Sequence, residues 1–309
     1  MPYSALEKKL KDGDTVILDG GMGTELEKLG ASIDEDLWSG RCSIDNPDIV
    51  YKAHQNFINS GADVITANTY ASTPISMNEY GYGDQIEQWN KISVNIARKV
   101  ADISKQEIVV AGSVSTFGSW DKFEPAYLKP GFNQQINILS DAGVDLIILE
   151  AMTSSTRTIE TILECSYASN LPVWLSISCA LNREKNKLML GYQESINHSE
   201  AFFYDDFEVA INKFKNLYSG PLLVAHSDFK VTNKAIIDIK KNYKGIIGAY
   251  PNNGFFKKPL WNIVNNIEPN DYYEEAKLWV NNGAQIIGGC CGIGPSHIKA
   301  TSNLKKNKN

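Results

Sequence analysis

Two adjacent cysteines, Cys290 and Cys291, are the residues of this sequence most suited to chemistry. They follow a short apolar run that begins at Ala284, and glycines flank them on both sides. Such a run predicts a buried strand that ends in a tight turn. Neighbouring cysteines seldom form a disulfide with each other, because that geometry distorts the peptide between them. Thiolates bind zinc well, so the pair predicts a metal site; the alternative is a core cysteine beside an inactive one.

A second chemical feature lies near the start of the chain, where a predicted strand at residues 15–19 runs into a glycine-rich turn. Asp19, Gly20 and Gly21 precede the next helical pattern. Bare backbone N–H groups at the start of a helix can hold an anion, so a carboxylate or a phosphate could bind there. A plain tight turn explains the glycines equally well, and the spacing is not the dinucleotide-binding fingerprint. Asp19 either binds a ligand or caps the turn.

The elements that position these residues alternate regularly along the chain. The predicted strands cover residues 15–19, 63–68, 107–113, 145–150, 173–178, 222–225 and 245–250 and the run from Ala284. Helical patterns at residues 47–60, 86–104, 133–142, 155–169, 232–240 and 272–281 separate them, together with a region around 197–216. Eight strand and helix units predict an α/β fold, a (β/α)8 TIM barrel, with residues 1–309 as a single domain.

Polar residues stand where most of these strands end. They are Asp19, Asn68, Glu150, Ser178, His226, Asn252 and Cys290. In such barrels the C-terminal ends of the strands form the active-site rim, so these side chains are expected to meet. An insertion at residues 182–200 could fold over the mouth as a lid. His54, on the apolar face of its helix, is interpreted as a packed or capping histidine.

Composition narrows the function classes. The chain has 309 residues, 43% of them hydrophobic, and a net charge of −6 with a pI of about 5.4. No basic face indicates nucleic acid or anionic membrane, so small molecules are the expected partners. Five cysteines are too few for a disulfide scaffold. Without a signal-peptide pattern or a run of about 18 apolar residues, the sequence predicts a soluble, cytoplasmic protein with reduced thiols.

Several motifs together resemble the homocysteine S-methyltransferase family, over nearly the whole chain and in the same order. They are residues 19–26 (Asp-Gly-Gly-Met-Gly-Thr-Glu-Leu), 37–39 (Leu-Trp-Ser), His54, 61–70 (Gly-Ala-Asp-Val-Ile-Thr-Ala-Asn-Thr-Tyr) and 288–292 (Gly-Gly-Cys-Cys-Gly). The family includes S-methylmethionine-dependent and betaine-dependent enzymes and the homocysteine domain of methionine synthase. This resemblance implies a zinc barrel in which three cysteines hold the metal and the homocysteine thiolate joins them before it attacks a methyl group.

The resemblance also implies roles for individual residues. Cys290 and Cys291 would be two of the zinc ligands and part of the catalytic centre. Gly20 and Gly21 would hold the substrate carboxylate through backbone N–H groups, while Glu150, with Asp19, would meet its ammonium group. Tyr70 matches a position on the donor side of some members.

The family's third cysteine is the point of departure. It ends the sixth strand within a Gly-x-Asn-Cys pattern, and that alignment places His226 at the asparagine and Ser227 at the cysteine. Serine is a poor zinc ligand because its hydroxyl must ionise to match a thiolate. Either His226 or Asp228 completes the site, or Ser227 holds the position and metal binding is weak, or His226 is only a hydrogen-bonded neighbour. Strand residues alternate, so His226 and Ser227 cannot both face the pocket unless the strand has ended.

The leading hypothesis is therefore methyl transfer from a sulfonium donor, S-methylmethionine or S-adenosylmethionine, to the thiol of homocysteine, giving methionine. A sulfonium donor requires no proton on its leaving sulfur, which agrees with the absence of a visible acid and base pair. The alternative is a zinc-poor relative that binds an amino acid or a sulfur compound with lost or altered chemistry, because of Ser227. A redox role for the adjacent thiols fits less well, since redox pairs are usually spaced by two residues. The sequence indicates no oligomeric state.

Overall fold

The architecture is a ring of parallel strands surrounded by helices. A computed structural model describes residues 2–118, 123–193, 201–257, 260–263 and 266–305. The helices are α1 (Pro2–Lys11), α2 (Met22–Lys28), α3 (Cys42–Asp45), α4 (Pro47–Asn59), α5 (Pro74–Glu79), α6 (Ile86–Asp102), α7 (Pro125–Asp141), α8 (Thr156–Ser166), α9 (Phe207–Leu217), α10 (Phe229–Asn242), α11 (Pro269–Asn281) and α12 (Pro295–Thr301). The strands are β1 (Val16–Ile17), β2 (Val64–Thr66), β3 (Val109–Val114), β4 (Leu146–Met152), β5 (Val173–Ile177), β6 (Cys179–Leu181), β7 (Leu188–Gln193), β8 (Ala201–Asp206), β9 (Leu222–Asp228), β10 (Ile247–Asn252), β11 (Phe255–Lys257), β12 (Leu260–Asn262) and β13 (Ala284–Ile287).

Eight parallel strands form the barrel, in the order β1, β13, β10, β9, β5, β4, β3, β2. A parallel bridge between Leu18 and Val64 joins the two ends of that order. The (β/α)8 barrel predicted from the alternation of strands and helices is confirmed. All of the predicted barrel strands exist, although β1 and β2 are shorter than their apolar runs.

The strands are buried on both faces, and their side chains alternate between two apolar clusters. In β1 and the residue after it, Val16 and Leu18 point into the barrel interior while Ile17 packs in the layer beneath the helices. The interior cluster also includes Leu6 and Leu10 of α1. The carbonyl of Leu10 accepts a hydrogen bond from the side-chain amide of Gln285. An N-terminal helix thus closes the end of the barrel opposite the C-terminal rim.

Two small antiparallel sheets interrupt the alternation. Strands β6, β7 and β8 form one of them, and β11 and β12 form a hairpin after β10. The region around residues 197–216, which the sequence analysis leaves without an assigned element, contains strand β8 at 201–206 and a helix that begins at Phe207. Of the predicted lid, residues 182–193 lie in this sheet and its hairpin, while 194–200 lie outside the described residues. Within the described ranges, no helix is both long and apolar enough to cross a membrane.

Candidate active site

A cavity of about 240 Å³ opens at the C-terminal ends of the barrel strands. Most of its wall comes from the C-terminal ends of β1, β2, β3, β4, β9, β10 and β13 and from the residues that follow them. The lining includes Asp19, Gly20, Gly21, Asn68, Tyr70, Glu150, His226, Cys290 and Cys291. The predicted binding and metal residues are therefore brought together, with the exception of Ser227. Of the other polar strand-end residues, Ser178 does not line the cavity, and Asn252 lies behind His226.

The two thiols reach the cavity because the glycines before them let the chain pass close to its neighbours. Gly288 N–H donates to the carbonyl of Ala249, and Gly289 N–H donates to that of Asp19, at 3.0 and 2.9 Å. Cys290 N–H then donates to the carbonyl of Pro251. These bonds tie the turn to both adjacent strand ends. The two sulfur atoms lie 3.9 Å apart, both cysteines are free thiols, and both are buried.

His226 faces the thiols because β9 carries one extra residue at this point. Ala225 pairs with Tyr250 and Asp228 pairs with Asn252, so three steps along β9 match two along β10. The bulge puts His226 at φ +46°, a conformation that is costly for a residue with a side chain. Bulges of this kind redirect side chains next to active sites. Nδ1 of His226 lies 3.1 Å from Nδ2 of Asn252.

The same bulge turns Ser227 away from the thiols. Its hydroxyl donates to the carbonyl of Ala225 at 2.8 Å and accepts the backbone N–H of Cys179 at 2.9 Å. Asp228, the other candidate, accepts the N–H of Lys230 at the start of α10. The structure therefore does not support the alignment that placed Ser227 at the position of a third metal ligand. His226 occupies that place, because one extra residue in the strand reverses which side chain points inward.

One ligand atom from each of His226, Cys290 and Cys291 lies within 4.8 Å of the other two. Two sulfurs bound to one zinc at about 2.3 Å in tetrahedral geometry are about 3.8 Å apart. The observed separation of 3.9 Å fits that value. Two thiolates and an imidazole are a known zinc donor set that leaves a fourth position open. The residues present therefore fit zinc.

The thiols share their protons unequally. The hydrogen bond between the two thiols, together with His226, holds the pKa of Cys290 well below its usual value. The same hydrogen bond and burial raise the pKa of Cys291 well above its usual value. One thiolate and one thiol are thus favoured in the free pair.

Glu150 is presented by a second bulge, in β4. Leu149 pairs with Leu175 and Met152 with Ile177, which leaves one extra residue, and Ala151 there has φ +48°. The Ser113 hydroxyl donates to Oε2 of Glu150. Burial, and then the negative charge of Cys290, raises the pKa of Glu150 to about 7. Glu150 is therefore poised between its charged and neutral forms near neutral pH.

Asp19 lies deeper, with both carboxylate oxygens held by Thr66. The backbone N–H of Thr66 donates to Oδ2 at 2.7 Å and its hydroxyl donates to Oδ1 at 3.0 Å. Burial raises the pKa of Asp19 well above its usual value, and the charge of Glu150 adds to the rise. Among the described residues that line the cavity, none is lysine or arginine. A cation entering the cavity would therefore meet uncompensated acidic groups.

The glycine turn has a different role from the one predicted for Gly21. The N–H of Gly21 donates to the carbonyl of Ile293 at 2.9 Å, so it is not available to a substrate carboxylate. A side chain at Gly21 would lie 2.5 Å from the carbonyl oxygen of Cys290. Gly21 is thus required for close contact between the first turn and the cysteine turn. Gly20 lines the cavity and remains the predicted carboxylate contact.

Aromatic rings form the remaining wall of the cavity. Tyr70 packs edge-to-face on Phe117 and Trp38, with centroids 5.8 and 6.5 Å away, and Trp38 packs on Phe256 at 6.2 Å. We call Trp38, Tyr70, Phe117 and Phe256 the aromatic wall. Trp261 lies beside it, 6.2 Å from the His226 ring.

Sequence reasoning missed several residues that support the site. Ser113 and Thr66 hold the two carboxylates, and Phe256 and Trp261 come from an unforeseen hairpin. Asn252, which contacts His226, is already among the residues that the strand-end pattern predicts at the rim. The others depend on contacts between strands that the sequence does not reveal.

The comparisons with known proteins agree with this geometry. A family model described as homocysteine S-methyltransferase matches residues 16–304. Homocysteine S-methyltransferase 1 of Zea mays is 27% identical, over 96% of each chain. A selenocysteine methyltransferase of Astragalus bisulcatus is 25% identical, over 93% of this chain and 91% of that protein. The metallated form of the Escherichia coli homocysteine methyltransferase MmuM has the same fold, with a TM-score of 0.75 and 22% identity over 98% and 99% of the two chains.

Proposed function

The chain belongs to the homocysteine S-methyltransferase family, and we propose that it transfers a methyl group from a sulfonium donor to the thiol of homocysteine, forming methionine. The observation that carries the proposal is the group of His226, Cys290 and Cys291, within 4.8 Å of one another, in a cavity that the carboxylates of Asp19 and Glu150 also line. S-Methylmethionine and S-adenosylmethionine are the donors that this proposal allows.

In this proposal His226, Cys290 and Cys291 hold a zinc ion. When bound, zinc would supply Lewis-acid chemistry that lowers the pKa of a substrate thiol, as it does for water. The chain's own contribution is to present the three ligands from two strand ends and to keep the two thiols buried. Burial excludes water from the thiolates, which strengthens their electrostatic interactions.

The amino-acid end of homocysteine is proposed to lie between Glu150, Asp19 and Gly20. An ammonium group favours the charged form of a nearby carboxylate, so its arrival would lower the raised pKa of Glu150. Ser113 fixes the orientation of that carboxylate. The N–H of Gly20 is the proposed contact for the substrate carboxylate.

The methyl donor is proposed to bind along the aromatic wall, with Tyr70 at its centre. A sulfonium group carries a positive charge, and aromatic faces attract cations. In the reaction the acceptor sulfur forms a bond to the methyl carbon, while the bond from that carbon to the donor sulfur breaks. The bonding electrons remain on the donor sulfur, which leaves as a neutral thioether. No proton is delivered to it, so the site has only to align the two sulfurs.

The alternative of a zinc-poor relative depended on Ser227 standing in place of a metal ligand. Since His226 lies with the thiols and the Ser227 hydroxyl is bonded elsewhere, no feature of the site favours that alternative.

The test combines metal content with turnover. The protein is purified without chelator or affinity metal, and zinc is measured for the wild type, His226→Ala and Cys290→Ser. Homocysteine is then supplied with S-methylmethionine or S-adenosylmethionine and methionine is quantified. We expect about one zinc per chain in the wild type, lost in both variants, and methionine from at least one donor. Zinc binding without methionine formation from either donor would contradict the proposal. A parallel assay with selenocysteine compares thiol and selenol acceptors.

A further inference from the structure

Glu27, in the last turn of α2, is bonded to two parts of the cavity wall although it does not line the cavity itself. Its Oε1 accepts the indole N–H of Trp38 at 2.7 Å. Its two oxygens also accept the backbone N–H of Trp261, at 3.3 and 3.2 Å. One carboxylate therefore joins the helix after the first barrel strand, the loop that carries Trp38, and the hairpin of β11 and β12.

The hairpin needs such an attachment. Each of its strands has three residues, and two-stranded ribbons of this size are marginal on their own. The Trp261 indole N–H also donates to the carbonyl of Asn253 at 2.8 Å, and its ring lies 6.2 Å from that of His226. Phe256 of the same hairpin packs on Trp38. Glu27 is thus one of the groups that hold the hairpin over the aromatic wall, and it is the one that also holds Trp38.

The position of the Trp38 ring is also tightly constrained. A side chain at Gly23 would come within 2.4 Å of the indole, so the ring lies directly on the helix backbone there. Trp38 itself has φ +46°, which is a strained conformation for a bulky residue. Its indole N–H is the group that Glu27 holds. Loss of that bond would leave a buried donor unpaired and allow the ring to turn.

We propose that Glu27 is the positioning residue for the methyl donor: it fixes Trp38 and the hairpin so that the aromatic wall accepts a cationic sulfonium. This inference rests on the proposed function, and it deepens that function by separating a donor side from the metal and acceptor side. His226, Cys290, Cys291, Glu150 and Asp19 receive none of the hydrogen bonds described for Glu27, whose charge reaches that side only as the smallest cause of the raised pKa of Cys291. Its replacement should therefore affect chiefly the donor.

The test compares Glu27→Ala and Glu27→Gln with the wild-type, zinc-loaded protein. KM for S-methylmethionine and for homocysteine, together with zinc content, are measured for each. A hydrogen bond to a charged group contributes enough that Glu27→Ala should raise donor KM by about tenfold or more. Acceptor KM and zinc content should stay within about twofold, because their groups are held by other residues. Glu27→Gln keeps one acceptor oxygen and should recover much of the donor affinity.

Trp38→Phe is the matched control, because it keeps an aromatic ring on the wall but removes the N–H that Glu27 accepts. Like Glu27→Ala, it should raise donor KM. The donor KM of the double variant should exceed that of Glu27→Ala only by the small effect of changing the ring, because both substitutions remove the same hydrogen bond. Equal loss of acceptor and donor affinity, or a lower thermal midpoint with both KM values unchanged, would overturn the inference.

The inference can be tested separately from turnover. Binding of S-methylmethionine alone is measured by calorimetry for the wild type and Glu27→Ala. If the wild type binds the sulfonium but makes no methionine, the proposed reaction fails while the role of Glu27 is still decided by the difference in affinity. If the two proteins bind S-methylmethionine equally, the role of Glu27 fails whatever the activity.

Discussion

Replacing Asn252 by alanine is expected to weaken zinc binding by about 10- to 100-fold, although none of the three proposed ligands is changed. An imidazole binds a metal through one unprotonated nitrogen, and the partner of the other nitrogen fixes the ring and its tautomer. Nδ1 of His226 lies 3.1 Å from the Asn252 amide, so Nε2 is the nitrogen left for a metal.

The Asn252 amide is well placed for this role. Asn252 is only 7% exposed, and its Oδ1 has no hydrogen-bond partner among the described residues. A half-turn of the amide would direct Oδ1 to Nδ1 and accept a proton there, which leaves Nε2 free of protons. Without the side chain, the ring of a strained residue loses the contact that orients it. The expected change corresponds to about 1.4–2.7 kcal/mol of binding free energy.

Competition with a chromophoric chelator measures the zinc affinity, and the absorption of the cobalt-substituted protein reports whether both thiolates still bind. Asn252→Asp is the matched control, because a carboxylate can accept the same proton and should keep the affinity. His226→Ala sets the limit for loss of the whole ligand. If His226→Ala weakens binding while Asn252→Ala does not, the argument about orientation is wrong. If neither does, the imidazole is not a ligand.

Three further predictions follow from buried groups. Ser227→Cys should leave zinc affinity unchanged, because that side chain points to Cys179; a gain measured in the same chelator titration would restore the alignment that places residue 227 at the metal. Burial lowers the pKa of His54 to about 3, so below pH 6.5 the unfolded chain binds more protons than the folded one. The free energy of unfolding should therefore fall as the pH drops from 6.5 toward 3, by about 1.4 kcal/mol per pH unit and about 5 kcal/mol in all. Denaturant unfolding at several pH values should show this slope, and a wild-type slope retained in His54→Leu would refute it. Asp63→Ala should lower the free energy of unfolding by about 2–3 kcal/mol, since Asp63 accepts the N–H of Ile17 and pairs with two partly exposed lysines, Lys9 and Lys305; an unchanged urea midpoint would contradict this.

Much of the fold was readable from local pattern. Short apolar runs marked the barrel strands, and alternation with helices indicated parallel pairing, because such connections bring successive strands side by side in one direction. The pattern failed where the chain departs from the alternation of strands and helices. The 201–206 segment forms a strand because β7 lies beside it, and the β11 and β12 hairpin forms over a wall built by distant residues.

The sequence likewise predicted some features of the site and not others. Strand-end positions identified Asp19, Glu150, His226 and Cys290 as neighbours, because parallel strands place their C-terminal ends on one rim. The single-domain extent, the individual substrate contacts and the cytoplasmic location stay predictions. Gly21 was assigned to anion binding, but contact with the cysteine turn uses its N–H.

The sequence by itself determined the barrel, the pair of thiols and the collection of polar groups at one rim, since these depend on residue type and spacing along the chain. Only the tertiary structure decided which of His226 and Ser227 faces the thiols. A single extra residue in a strand shifts the alternation of side chains by one, and its presence shows only in the pairing with β10.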